Sequence, residues 1–282
     1  MHLRLFTSLV LLAICSCRGP VGESESPSPC VPNLVHITSD SVADFFIQPT
    51  PVTVSMFEVF AKAGSSGEDP SAGHEFDSYT TQAEIFGNSG VFDYDTKEWG
   101  LVEGAYYRQP FGPDEGDAPN DHPATQISFY DARAYCTHYG MRLPTEAEWE
   151  AAARYKQPGG TTMYPWGNQI KTTEDGYRAN VWQGLFPHVK KVEDGYAYTS
   201  PVDAYPAAPS GLYDMAGNVW EWVSDSIAGV GVPGDDTHRL GKGGSFLCEP
   251  NWCHGYLITG STHNSSETGL FHTGFRCVCE EK

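Results

Sequence analysis

Basic residues are scarce in this chain. Seventeen lysines and arginines stand against 36 aspartates and glutamates, for a formal net charge of −19. A surface so acidic repels phosphate backbones, which excludes nucleic acid as a partner. Long apolar runs are missing after the first residues, so no later segment is suited to spanning a bilayer. No internal repeat is present, no His-Glu-x-x-His occurs, and no Pro/Ser-rich linker interrupts residues 33–282. What remains is one large globular unit. Hydrophobic residues make up 40 % and aromatics 13 % of 282 residues, enough for a sizeable core, while 30 glycines and 20 prolines call for a loop-rich fold. The acidity suits basic peptides or calcium held by clustered oxygens, and it equally serves to keep an exported protein soluble.

The N-terminus reads as an export signal. Arg4 precedes an apolar run from Leu5 to Cys15 that is about half a bilayer span. Residues 1–17 form the expected signal peptide. Ile14-Cys15-Ser16-Cys17 resembles a lipoprotein processing site, with Cys17 as the residue to carry lipid and attach the chain to a membrane; simple secretion is the alternative. Residues 18–32, rich in Gly, Ser, Pro and Glu, form a flexible tether. The expected location is thus the cell envelope or outside the cell.

Helical signals are few. Residues 52–60 read as a short strand running into a helix, with Ser55 as N-cap and Glu58 completing a capping box. A second helix starts near Ser128 and stops at Gly140. A third is capped by Thr145 with Glu148 as its box partner, and puts Trp149 and Ala153 on one face. Residues 63–123 read as long ordered loops with short strands, and the chain after Tyr155 as turns and short strands. The expected class is α+β with two main helices and short antiparallel strands.

Eight cysteines are present; setting aside Cys15 and Cys17 leaves Cys30, Cys136, Cys248, Cys253, Cys277 and Cys279. Cys248 and Cys253 stand five positions apart in Gly243-Gly244-Ser245-Phe246-Leu247-Cys248-Glu249-Pro250-Asn251-Trp252-Cys253. Two readings are open. An exported protein favours a plain disulfide. Two adjacent thiolates also suit a soft d¹⁰ ion such as Cu(I).

Five segments, in order, resemble the formylglycine-generating enzyme (sulfatase-modifying factor) family. They are Arg142-Leu143-Pro144-Thr145-Glu146-Ala147-Glu148-Trp149-Glu150, Tyr164-Pro165-Trp166-Gly167-Asn168, Gly211-Leu212-Tyr213-Asp214-Met215-Ala216-Gly217-Asn218-Val219-Trp220-Glu221-Trp222, Gly243-Gly244-Ser245-Phe246 and Gly274-Phe275-Arg276-Cys277. The likeness covers roughly residues 45–279. It implies an irregular, C-type-lectin-like α+β fold. It also implies that Cys248 and Cys253 hold Cu(I), that Ser245 lies beside the oxygen site, and that a substrate cysteine is oxidised with O₂ to an aldehyde, formylglycine. Further implied are two structural calcium loops: Asn180, Val181, Asp194 and Tyr196 in the first, and Asp214, Gly217, Val219 and Glu221 in the second. Mixed carboxylate and carbonyl oxygens are what Ca²⁺ accepts, although such residues also cap turns without metal. Cys136 and Cys277 match a family disulfide. A second family bridge maps to Ala153 and Ile258, an expected apolar contact. Cys30 and Cys279 are left unassigned.

The likeness breaks after Cys253. The family's arginines are replaced by Gly255-Tyr256-Leu257-Ile258-Thr259-Gly260-Ser261, and neutral side chains cannot reproduce their bidentate contacts. Substrate recognition, or hydrogen bonding in the active site, must therefore differ. Residues 83–89 and 106–113 resemble the family's substrate-groove loops, which keeps a cysteine-containing polypeptide as the expected substrate. Two alternatives stand beside the copper oxidase: a non-catalytic, lectin-like binding or assembly module of an envelope lipoprotein, and an enzyme acting on a small thiol or catechol-like metabolite.

Overall fold

The computed structural model describes residues 33–63, 79–157, 162–173, 176–227, 237–249 and 253–280. The expected signal segment and tether, with Cys17 and Cys30, lie outside these residues, as do Pro250, Asn251 and Trp252.

Elements follow in chain order. Strands β1 (Val35–Ile37) and β2 (Phe45–Ile47) precede helices α1 (Val54–Ala63) and α2 (Gln82–Phe86). Strands β3 (Asn88–Asp93) and β4 (Glu98–Glu103) form a hairpin. Helices α3 (Phe129–His138) and α4 (Glu146–Arg154) come next, then a two-residue hairpin of β5 (Lys171–Thr172) and β6 (Gly176–Tyr177). The C-terminal part holds β7 (Trp220–Ser226), β8 (His238–Lys242), β9 (Ser261–Ser265), β10 (Thr273–Gly274) and β11 (Val278–Glu280). One sheet has the order β1-β2-β11 and another β10-β7-β8-β9; every pairing is antiparallel except β10 with β7. This is the expected α+β class: the two main helices are α3 and α4, and the helix expected in residues 52–60 is as long as they are, ten residues against ten and nine.

The caps of α3 and α4 are those the sequence dictates. Ser128 accepts from Asp131 N while Asp131 returns to Ser128 N, and Thr145 and Glu148 do the same. Glu148 also receives both guanidinium arms of Arg142 at 2.7 Å, which explains the Arg-Leu-Pro-Thr-Glu run. At α1 the expectation fails. Thr53, not Ser55, accepts the amide of Met56 (3.2 Å), and Glu58 turns instead to Lys62 at 2.9 Å. The reason is tertiary: Thr53 bridges Pro123 and Val54 N donates to His122 O, so the chain is pinned and helical two residues early. Helix α2 was not foreseen. It carries its own box, Thr81 with Glu84, but five residues show no periodicity.

The main core lies between α1 and α3 and the C-terminal strand. Phe57 sits 5.8 Å from Tyr135 and 4.9 Å from Tyr107, and Tyr135 sits 5.2 Å from Phe275. Cys136 and Cys277, both fully buried here, are joined with a Cα–Cα distance of 5.6 Å. A second core joins α4 to β7 and β11 and contains Trp149, Ala153, Ile258 and Val278. Ala153 and Ile258 share this apolar cluster, as expected of a bridge position replaced on both sides. Cys279 is buried in the first core. Among the described residues no helix is long and apolar enough to cross a membrane.

Candidate active site at the cysteine pair

Strand β8 ends at Lys242 and delivers the chain into Gly243 and Gly244, both with left-handed φ (89° and 73°). A Cβ on Gly244 would lie 2.5 Å from Tyr256 N, so only glycine lets the segments after β8 and before β9 touch. Ser245 then opens a tight turn. Its carbonyl accepts from Cys248 N at 2.9 Å and its hydroxyl from Leu247 N at 3.3 Å. Ser245 is fully buried, directly upstream of the cysteines.

Cys248 and Cys253 are paired in the structure as a disulfide, with Cα atoms 5.0 Å apart. This is the plain reading of their spacing, and a metal on these sulfurs requires the reduced pair. Cys248 is buried; Cys253 is partly exposed, and its sulfur accepts from Gly255 N at 3.4 Å. Trp182 N donates to Cys248 O and Cys253 N to Glu249 O, at 3.0 and 2.8 Å. Around them stand Tyr164, Trp220 and Tyr256, with Trp166 and Tyr177 at the edge. Tyr164 stacks on Trp166 and on Tyr256 at 5.7 and 5.9 Å, and burial holds both phenols above their ordinary pKa, so they stay protonated donors. Gly255 is where the family-like arginine run gives way; a Cβ there would strike the Trp220 ring at 2.0 Å. Among the described residues no group of three or more His, Cys, Asp or Glu side chains is placed to hold a metal.

The first loop expected to bind calcium fits a cation in one respect. Asn180 is buried, its Nδ2 donates to Tyr198 O (2.7 Å), and its Oδ1 has no hydrogen-bond donor. Asp194 is engaged: Tyr196 N and Tyr205 Oη donate to its two oxygens at 3.1 and 2.8 Å. Val181 O accepts from Gln183 Nε2 at 3.1 Å. In the second loop Asp214 is buried with Asn218 Nδ2 at 2.7 Å, and desolvation lifts its pKa to about 8 against the opposing pull of that hydrogen bond and of the Arg276 charge. Gly217 and Val219 are buried beside it. Glu221 differs. Arg276 grips it in bidentate fashion (2.6 and 2.7 Å) and Trp149 Nε1 donates at 2.8 Å. Its charge is thus met within the chain.

Two features escaped sequence reasoning. Arg276 is fully buried and also donates to the carbonyls of Gln48, Pro49 and Tyr213. Lys190 sits in an aromatic box, 4.1 Å from the Tyr94 ring, 4.8 Å from Trp182 and 5.2 Å from Tyr198, donating to Tyr94 Oη and Ala197 O. Burial pulls its pKa down to about 7, whereas the ring faces favour the ammonium form. Only the arginine in an apolar run, Gly274-Phe275-Arg276-Cys277, offered a signal.

Hairpin β3–β4 stands near the site. Val91 and Phe92 pack with Trp182, Phe246 and Leu247, while Trp99 and Leu101 face solvent at 50 % and 72 % exposure. Ile85 and Phe86 are also exposed, so residues 83–89 present apolar surface.

The chain matches the family model described as "Sulfatase-modifying factor enzyme 1-like domain" over residues 32–281. It is 39 % identical over 259 residues to a Thermomonospora curvata protein named formylglycine-generating enzyme, covering 85 % of this chain and 83 % of the relative. It is 35 % identical over 257 residues to a Bos taurus protein named inactive C-alpha-formylglycine-generating enzyme 2, covering 84 % and 76 %. The solved structure of PvdO from Pseudomonas aeruginosa shares the fold, with a TM-score of 0.54 at 19 % identity over 88 % of this chain and 90 % of that one.

Proposed function

This chain belongs to the sulfatase-modifying factor family, and from that premise we propose that it is an oxygen-dependent oxidoreductase converting a cysteine in an exported polypeptide to formylglycine. The observation that supports this most is the placement of the Cys248 and Cys253 side chains side by side, Cα atoms 5.0 Å apart, beyond the buried Ser245 and under a rim of tyrosine and tryptophan. Reduced, the pair offers two soft ligands for Cu(I), and bound copper supplies O₂ activation. The chain's own residues do the rest: Gly255 N–H supports charge on the Cys253 sulfur, the rings exclude water, and exposed Trp99 and Leu101 offer a peptide an apolar footing. The substrate carbon gives up two electrons and its sulfur leaves as sulfide; reduction of O₂ to water takes two more electrons, from an external thiol.

The calcium loops are proposed as structural sites, with Asn180 and Asp214 the side chains best placed to use a cation. Sulfatase-type recognition is not part of the proposal, because the arginines after Cys253 are absent. A non-catalytic, lectin-like module is the second reading, favoured by the closed cysteine pair and those missing arginines. The test is to reduce the pair, add Cu(I), O₂, excess thiol and cysteine-containing peptides of varied flanks, and read aldehyde by hydrazide labelling and mass. Aldehyde that disappears in Cys248→Ser supports the oxidase. No aldehyde from any peptide, with no copper bound, leaves the binding module.

A further inference from the structure

Asn218 lies where three irregular segments meet. Its main-chain N–H donates to Asn180 O at 2.8 Å, and its carbonyl accepts from Phe246 N at 3.0 Å. Its side chain is equally committed. Oδ1 accepts from Ser200 N (3.0 Å) and Asn180 Nδ2 (3.3 Å); Nδ2 donates to Asp214 Oδ2 (2.7 Å) and Ser200 O (3.2 Å). The residue is fully buried with φ at 63°, a backbone state that asparagine tolerates better than most side chains.

Two more bonds close the figure. Gly217 N donates to Gly243 O at 2.7 Å, and Trp182 N to Cys248 O at 3.0 Å. A Cβ on Gly217 would lie 2.4 Å from Asn180 O, so the two loops are in backbone contact. Segment 180–182, segment 214–219 and segment 243–248 are therefore each bonded to the other two, and Asn218 takes part in most of these links. A cation on Asn180 Oδ1 fixes the amide whose Nδ2 feeds Asn218. A cation on Asp214 fixes the carboxylate that receives Asn218 Nδ2. Both acts converge on one side chain, and its own carbonyl holds Phe246, which lies between Ser245 and Cys248.

We propose that Asn218 is a positioning residue that couples cation occupancy of the two loops to the redox state of Cys248 and Cys253. The inference rests on the calcium reading of those loops. All of these bonds are formed with the cysteine pair closed and Asn180 Oδ1 is left without a donor, so a cation there favours the disulfide and makes it harder to reduce. By reciprocity, closing the pair tightens calcium binding by the same factor.

The test is a redox titration of the full chain in thiol–disulfide buffers, with Ca²⁺ and with chelator. Alkylation and mass analysis of the Cys248 and Cys253 peptides give the reduced fraction, and calorimetry with Ca²⁺ alone gives binding. In the wild type, Ca²⁺ shifts the dithiol–disulfide equilibrium constant by at least about fivefold. In Asn218→Gly, which keeps the left-handed backbone and its main-chain bonds, calcium still binds but the shift falls below about twofold. Asn218→Asp, lacking the Nδ2 donor, gives the same loss if the glycine variant does not fold. The coupling is overturned if calcium binds the wild type without moving the equilibrium, or if the shift survives in both variants. If no calcium binds the wild type, the calcium reading itself fails and the coupling with it.

Discussion

The two cysteine pairs of this molecule make the same bond in opposite settings. Cys136–Cys277 joins α3 to the chain before β11 across 141 positions, and both residues lie in the aromatic core. Cys248–Cys253 spans five positions on an irregular turn, with one sulfur at the rim. Loop-closure entropy assigns about 5 kcal/mol to the first and about 2 kcal/mol to the second. A long, buried bridge is a staple. A short bridge adds little stability, so its thiols are available for chemistry at small cost to the fold. That contrast, more than the presence of cysteines, is why Cys248 and Cys253 are proposed as the site.

The largest expected effect breaks the contrast at its stable end. Cys136→Ala/Cys277→Ala loses about 5 kcal/mol or more in urea unfolding, while Cys248→Ala/Cys253→Ala loses about 2 kcal/mol at most. Equal losses would erase the distinction between staple and site. Next comes Arg276→Met, which strands the buried carboxylate of Glu221 and the carbonyls of Gln48, Pro49 and Tyr213; a loss of about 3–5 kcal/mol is expected by the same assay. A loss below about 1 kcal/mol would show that the ion pair holds nothing together.

A pH profile probes the core beside the hairpin. His272 is buried with Nδ1 lacking a partner, and desolvation lowers its pKa from 6.5 to about 3. The unfolded chain therefore binds a proton that the folded one refuses between those values. Stability is fully present above pH 6.5 and drains as pH falls toward 3, by up to about 1.4 kcal/mol per unit. His272→Phe flattens that slope relative to wild type; an unchanged slope would mean the imidazole is protonated in the fold. The smallest effect concerns a cap. Thr53→Ala costs about 1 kcal/mol, and Ser55→Ala less than about 0.5 kcal/mol. The reverse order would restore Ser55 as the start of α1.

These cases show what was legible and what was not. Boxes at Ser128 and Thr145 are local, three residues from cap to partner, and the sequence states them outright. Thr53 displaced Ser55 because a bridge to Pro123 pins the chain, and no local pattern records a contact 70 positions away. The fold and the cysteine segment were readable from five ordered motifs; the structure adds that Gly244 and Gly255 answer close backbone and ring approaches that a Cβ would block. Arg276 and Asn218 were visible as motif members and Lys190 not at all, but the roles of all three were hidden: each acts through partners scattered over the chain, such as Gln48 with Arg276 and Tyr94 with Lys190. The calcium loops were named from likeness; the structure adds that Asn180 Oδ1 lacks a donor and that Glu221 already has its counter-charge.

The central claim is that Cys248 and Cys253 are a reactive, metal-competent pair and Cys136 and Cys277 are not. The most direct measurement is Cu(I) affinity against a competing chelator, made on chain whose Cys248–Cys253 pair has been selectively reduced, beside Cys248→Ser/Cys253→Ser. Tight one-to-one binding in the first and none in the second is the predicted result. Equal binding, or none in either, would contradict the claim and leave a stapled lectin-like module.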